Sequence, residues 1–120
     1  MTIISQILIG LVAVLHIYFL YLEMFAWTKP LGRKVFQISK DEALKTRSLA
    51  ANQGLYNGFL ASGLLWSLCY PNVIVATELQ YFFLGCVVVA GLYGGYSVNK
   101  RIVVVQSLPA ALGLSVLFLR

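Results

Sequence analysis

The sequence predicts an all-α integral membrane protein, a four-helix transmembrane bundle with both termini outside the cytoplasm. The chain of 120 residues is 60% hydrophobic and 11% charged, with a mean hydropathy of +0.85. Its apolar residues fall into four blocks, each close to the ~20 residues that cross a ~30 Å hydrocarbon core. A soluble domain of this size could not bury so much apolar surface. The distribution of the basic residues then orients the four spans.

The four blocks define the expected spans of a single domain that occupies residues 1–120. The predicted spans are approximately 3–27, 49–70, 79–97 and 102–119. The first block has no basic segment before it and no small-x-small cleavage pattern after its apolar run. We therefore expect it to be retained as a membrane helix rather than removed as a signal peptide.

Basic residues are concentrated in two of the predicted loops. Six of the nine lie between spans one and two: Lys29, Arg33, Lys34, Lys40, Lys45 and Arg47. Lys100 and Arg101 lie between spans three and four, and Arg120 ends the chain. These two loops share a side in a four-span protein, and the positive-inside rule makes that side cytoplasmic. The pattern argues against nucleic acid as the reason for the net charge of +5. The expected partner is the lipid bilayer, and contact of the basic loops with anionic headgroups would follow from topology alone.

The first loop contains signals for a helix end and a helix start. Pro30 and Gly32 predict that span one ends before them and that residues 28–38 form a loop. Ser39 with Glu42 matches a capping box and predicts the start of a short amphipathic cytoplasmic helix before span two. The sequence leaves open whether this helix continues into the span.

Two further signals concern the second half of the chain. Thr77 with Gln80 matches a second capping box, which predicts the start of span three. Pro109 lies within span four, where its missing N–H would free a carbonyl and kink the helix.

Span two carries polar residues that an apolar helix rarely tolerates. Its first third contains Asn52, Gln53, Tyr56 and Asn57, which fill one broad face of a helix. Amides are costly in hydrocarbon unless they find hydrogen-bond partners. Small residues lie roughly opposite, so span two is expected to be the central helix.

Polar residues of the other spans fall at the same depth under this topology. His16 and Glu23 share a face of span one, and the remaining spans contribute tyrosines and a glutamine. We infer a polar pocket in the cytoplasmic half of the bundle, with Gln53 or Asn57 within hydrogen-bond reach of one of four residues: Glu23, Tyr93, Tyr96 or Gln106. The candidates for binding a small ligand or a proton are His16, Glu23, Asn52, Gln53, Tyr56, Asn57, Tyr93, Tyr96 and Gln106.

A structural interpretation of the same residues stays open. Interhelical hydrogen bonds among amides and carboxylates commonly hold membrane helices together. Glycines in small-xxx-small spacing permit close helix packing, either within one chain or between two chains. These helix-packing glycines are Gly54, Gly58, Gly91 and Gly95. If the chain associates with copies of itself, a dimer is the assembly that we expect.

Neither a metal site nor a disulfide is expected. Cys69 is predicted at the outer end of span two, whereas Cys86 lies about 12 Å deeper in span three at 1.5 Å per residue. Neither cysteine has the His or carboxylate neighbours of a metal site. We expect no metal, no cofactor and no catalytic residue.

Several segments together resemble the family catalogued as domain of unknown function 1304. They are LH and EMFAW in span one, PLGRKVF after it, LAANQGLYNGFLASGLLW in span two and FFLGCVVVAGLYG in span three. The resemblance covers the whole chain and implies a small, four-span bacterial integral membrane protein. The expected location is therefore the bacterial plasma membrane. The family implies no established activity and no catalytic residues.

Three functions are compatible with these residues. The first is a small transporter or ligand-binding membrane protein, which the His, carboxylate and amides favour. The second is a structural or accessory membrane subunit whose polar cluster only holds the helices together. The third is a membrane-embedded enzyme acting on lipid or thiol substrates, ranked last because no activated nucleophile is visible.

Overall fold

The computed structural model describes residues 2–119, and within them the chain is all-helical. The α-helices are α1 (Ile3–Met24), α2 (Pro30–Phe36), α3 (Lys40–Cys69), α4 (Val73–Ser97) and α5 (Leu108–Leu119). A π-helical segment, Val103–Ser107, directly precedes α5. The predicted all-α class is therefore confirmed.

Two helices are long and apolar enough to cross a membrane, judged by length and composition: α1 and α4. Among the described residues, the other two predicted spans do not meet this criterion. Amides within α3 lower the hydropathy of its apolar part, and the apolar run Val103–Leu119 has only 17 residues.

The chain divides into two compact units. The first contains the residues up to Ala13 and those from Leu60 onward, and the second is Val14–Phe59. The first unit has a core of aliphatic side chains from α1, α3, α4 and α5. Its buried members are Ile9, Val12, Ala13, Leu64, Leu84, Val87, Ala110 and Leu117.

The first loop contains a helix that the sequence did not predict. Pro30 was interpreted as a helix end, but it occupies the first position of α2, where its missing N–H costs no helical hydrogen bond. The helix ends at Gln37, whose φ of 54° is left-handed and whose N–H donates to the carbonyl of Arg33. The prediction of a loop over residues 28–38 is therefore wrong in this part.

The start of α3 matches the predicted capping box. The backbone N–H of Glu42 donates to Oγ of Ser39 at 3.2 Å. The helix then runs for 30 residues to Cys69 without a break. No proline or glycine lies between Lys40 and Gln53 to interrupt it. The predicted helical extension and the predicted second span are thus one continuous helix.

The start of α4 differs from the prediction. Oδ1 of Asn72 accepts hydrogen bonds from the backbone N–H groups of Ile74 and Val75, at 2.9 and 3.2 Å. The helix therefore begins at Val73, upstream of the predicted capping box. The hydroxyl of Thr77 instead donates to the carbonyl of Val73 at 2.8 Å, inside the helix. Thr77 is not the cap, because Asn72 already satisfies the first N–H groups.

The irregularity predicted near Pro109 takes the form of a π-helical turn. The N–H of Leu108 donates to the carbonyl of Val103, five residues earlier. Such turns rearrange helical hydrogen bonds where a proline removes a donor. Ser107, within this turn, donates from Oγ to the carbonyl of Val88 at 2.8 Å. Gly91 permits this approach, since a Cβ there would lie 2.7 Å from the backbone nitrogen of Ser107.

We predict that Asn72→Ala lowers the free energy of unfolding by about 1 kcal/mol, because two N–H groups of α4 lose their acceptor. Asn72→Ser keeps an acceptor and should retain most of the stability. Unfolding of the purified protein in mixed micelles by titration with sodium dodecyl sulfate measures both. Equal stability of the alanine variant and the native protein would contradict the assignment of the cap.

Candidate functional site

In the second unit, a side-chain hydrogen bond joins two of the predicted site residues. Glu23 lies at the C-terminal end of α1, and Asn57 lies on α3, 34 residues later. Nδ2 of Asn57 donates to Oε1 of Glu23. Both side chains are partly buried. This is one of the contacts that the sequence led us to expect.

Two glycines of α3 allow the helices to approach closely enough for this bond. A Cβ on Gly54 would lie 2.6 Å from Cγ of Met24 and 3.2 Å from the carbonyl oxygen of Leu20. A Cβ on Gly58 would lie 2.7 Å from Cδ1 of Leu20. Both glycines therefore face α1 of the same chain, and Gly54 also lies next to Cβ of Glu23.

The segment that follows Glu23 is attached to the first turns of α3. Nε1 of Trp27 donates to Oγ1 of Thr46 at 3.0 Å. The hydroxyl of Thr46 in turn donates to the carbonyl of Glu42 at 2.7 Å. The Trp27 ring also packs against Phe36, with ring centroids 4.9 Å apart. These contacts attach the connection between α1 and α3 to the first turns of α3.

His16 is fully buried and lies on α1 seven residues before Glu23. Its ring makes an edge-to-face contact with Phe19, with centroids 5.4 Å apart. A buried imidazole in an aromatic setting fits a packing role as well as a binding role.

Most of the other candidates lie on the surface of the isolated chain. Tyr56, Tyr93 and Tyr96 are 54%, 70% and 90% exposed. Asn52 and Gln53 are also exposed, and Gln106 is partly buried. Among the nine candidates, Glu23 and Asn57 are joined by the hydrogen bond described above. Convergence of the remaining side chains on one polar pocket stays a prediction.

The grooves described in the first unit are lined mainly by apolar side chains. One is an open groove along α4 lined by Tyr81, Phe82, Gly85, Cys86, Val89 and Ala90. A second, also apolar, lies between α4 and the π-helical turn with α5. None of the nine candidates lines either groove. Within residues 2–119, no cluster of three His, Cys, Asp or Glu residues is arranged to hold a metal ion.

Some buried polar residues were not recognised from the sequence. Ser5, Ser67 and Gln80 are fully buried in the first unit. The hydroxyl of Ser67 donates to the carbonyl of Leu64 at 2.6 Å, and that of Ser5 to the carbonyl of Thr2 at 2.8 Å. Serine can satisfy itself on its own helix in this way, so it gives little signal in a sequence. Gln80 had been singled out only for a capping role.

The fold and the site define an all-helical protein with two candidate membrane helices and an interhelical carboxylate–amide pair. A family described as "Protein of unknown function (DUF1304)" matches residues 10–118. An uncharacterized protein of Lactococcus lactis subsp. lactis (strain IL1403), YpaA, is 34% identical over 116 residues, covering 95% of this chain and 96% of the relative. No solved structure matches the chain. The chain therefore belongs to the DUF1304 family, as the sequence motifs suggested.

We predict that Gly54→Ala lowers the free energy of unfolding by about 1–3 kcal/mol, because the new methyl group overlaps Met24 and forces α1 away from α3. Gly10→Ala is the matched control on α1, since a Cβ there meets nothing within 4 Å. That control should be neutral or stabilising by up to ~1 kcal/mol. Detergent unfolding of both variants measures the difference. Equal stability of the two variants would contradict close packing at Gly54.

Proposed function

We propose that this chain is a four-span integral membrane protein of the bacterial plasma membrane, with basic loops in the cytoplasm. Two apolar helices of sufficient length support membrane association. The relative from Lactococcus lactis, a bacterium, supports the cellular setting. Of α3's 30 residues, ~20 would suffice to cross the hydrocarbon, leaving its charged first turns outside. The apolar run Val103–Leu119 has 17 residues, the lower end of the spanning range of about 17–25.

We further propose that the Glu23–Asn57 pair binds a small polar ligand or a proton, as in a small transporter or ligand-binding membrane protein. The observation that carries this proposal is the hydrogen bond from Asn57 to the Glu23 carboxylate. An ionisable residue within an apolar helix is costly, and such residues commonly mark ion, proton or substrate sites. A carboxylate accepts several hydrogen bonds, and Asn57 supplies one donor. The group therefore keeps the capacity to interact with a cation or a proton.

A structural or accessory role is the second candidate, and the same contact favours it. An interhelical hydrogen bond between glycine-packed helices stabilises a membrane protein by ~0.6–2 kcal/mol. Gly54 packs against Cβ of Glu23, and Gly58 packs against Leu20 on the same helix. The binding role and the structural role can be distinguished with two variants. One removes the charge of Glu23 and keeps the hydrogen bond, and the other removes the hydrogen bond and keeps the charge.

For the site, we predict that Glu23→Gln keeps a hydrogen-bond acceptor for Asn57 but abolishes proton exchange, because the amide cannot release a proton. Asn57→Ala keeps the carboxylate and should retain exchange with reduced stability. Both are reconstituted into vesicles containing the pH-sensitive dye pyranine, and proton uptake is followed after adding tetraphenylphosphonium as a lipophilic cation. We expect at least a tenfold lower rate in Glu23→Gln.

Stability measurements in detergent accompany the flux measurements. If Glu23→Gln moves protons at the native rate, Glu23 is not the binding group. If native vesicles neither move protons nor bind tetraphenylphosphonium, and Asn57→Ala is simply less stable, the accessory role is the better description.

For the topology, we predict that Cys69 reacts with a membrane-impermeant maleimide added outside intact cells. Cys69 is exposed at the end of α3, which the proposed orientation assigns to the outer surface. The protein carries Cys86→Ser so that one thiol remains. A second protein, Cys69→Ser/Cys86→Ser/Lys34→Cys, should react only after permeabilisation. Labelling of Lys34→Cys in intact cells would contradict the orientation.

A further inference from the structure

We propose that the outward face of α2 is a binding surface for the headgroups of anionic phospholipids in the cytoplasmic leaflet. The surface consists of Leu31, Lys34 and Val35 on α2, together with Lys29, the exposed N-cap residue that directly precedes this helix. This inference rests on the proposed membrane topology, which places the loop between α1 and α3 at the inner interface. It adds a specific lipid contact that topology alone does not require.

The side chains of α2 divide into two faces. Gly32 is buried and Phe36 is partly buried, and these two residues are one helical turn apart. Leu31, Lys34 and Val35 follow the i, i+3, i+4 pattern on the other side. All three are exposed, Leu31 by 45% and Val35 by 38%. This face combines the two contributions that bind a helix to the membrane interface, namely apolar side chains that can be buried and a basic side chain that attracts anionic lipids.

Close packing determines which face of α2 points outward. A Cβ on Gly32 would lie 2.7 Å from the carbonyl carbon of Ala26, so the backbone of α2 directly contacts the segment that follows α1. Phe36 packs on the Trp27 ring, which is itself hydrogen-bonded to Thr46. The helix cannot rotate without losing these contacts. Lys34 and its aliphatic neighbours are therefore presented on a fixed surface rather than on a freely moving loop.

The charge around this face matches an anionic surface. Residues 29–47 contain six basic side chains and two acidic ones, Asp41 and Glu42. Five of the basic side chains are exposed: Lys29, Lys34, Lys40, Lys45 and Arg47. Basic residues next to a membrane are each attracted to anionic lipids by about 1 kcal/mol. The aliphatic pair on α2 favours a lipid over another polyanion, because it can enter the boundary between headgroups and acyl chains.

The other basic loop provides a matched control. Lys100 and Arg101 are also exposed and occupy the same predicted side. Lys100 lies in the turn after α4, and Arg101 begins the helical stretch that continues into the π-helical segment. The exposed aliphatic side chains that follow, Val104 and Val105, belong to the apolar run Val103–Leu119, which is the proposed fourth span rather than a separate interfacial helix. Topology alone would give the two loops similar lipid contacts. The proposed surface instead requires that the loop with Lys29 and Lys34 contributes more to the retention of anionic lipid than the loop with Lys100 and Arg101.

The experiment is native mass spectrometry of the full chain in detergent with equimolar phosphatidylglycerol and phosphatidylcholine of identical acyl chains. We expect the native protein to retain phosphatidylglycerol preferentially. Lys29→Gln/Lys34→Gln should lower that preference at least fivefold, since one lysine contributes about a fivefold effect. Lys100→Gln/Arg101→Gln should leave it within about twofold. Leu31→Ser/Val35→Ser should reduce retention of both lipids, because the aliphatic anchor is lost.

Each variant is also inserted into liposomes and extracted with alkaline carbonate. Equal retention of the two lipids by a membrane-inserted native protein overturns this inference and leaves the proposed topology intact. An equal loss in the Lys29/Lys34 and Lys100/Arg101 variants also overturns it, because the effect would then be general charge attraction. A native protein that carbonate extracts overturns both this inference and the membrane assignment.

Discussion

The hydrogen bond from Asn57 to Glu23 is the constraint around which residues 14–59 are arranged. A partly buried carboxylate needs a donor, and the donor has to come from a residue 34 positions away in the chain. This requirement brings α1 and α3 into close contact. The contact is possible because Gly54 and Gly58 have no side chain where Met24 and Leu20 lie. The carboxylate, the amide and the glycines thus form one unit of packing, and any binding role of Glu23 would depend on it.

The connection between α1 and α3 follows from the same arrangement. Once the two helices are adjacent, the chain has to reverse direction within a short segment. It does so through α2, whose Gly32 lies against Ala26 and whose Phe36 packs on Trp27. The Trp27–Thr46 hydrogen bond then attaches this connection to α3. The compact connection fixes the position of basic side chains that would otherwise sample many directions.

The differences between prediction and structure arise where one local signal competes with another. Thr77 has the spacing of a cap, but Asn72 lies earlier and satisfies the first N–H groups of α4. Pro30 can end one helix or begin the next, and the packing of Gly32 against Ala26 and Trp27 accompanies the second outcome. The effect of Pro109 was easier to anticipate, because a missing donor disturbs a helix in any context.

The sequence by itself determined the helical class, the family and the cap at Ser39, and it placed Glu23 and Asn57 among the candidates for an interhelical hydrogen bond. These follow from local chemistry: apolar block length, capping spacing, and the need of a carboxylate and an amide for partners. Only the tertiary structure decided which amide reaches Glu23, and why Asn52 and Gln53 remain exposed on the same helix. That choice depends on the rotation of α3 against α1. The rotation is set by where the glycines allow the two backbones to meet, which no pattern within a single helix reveals.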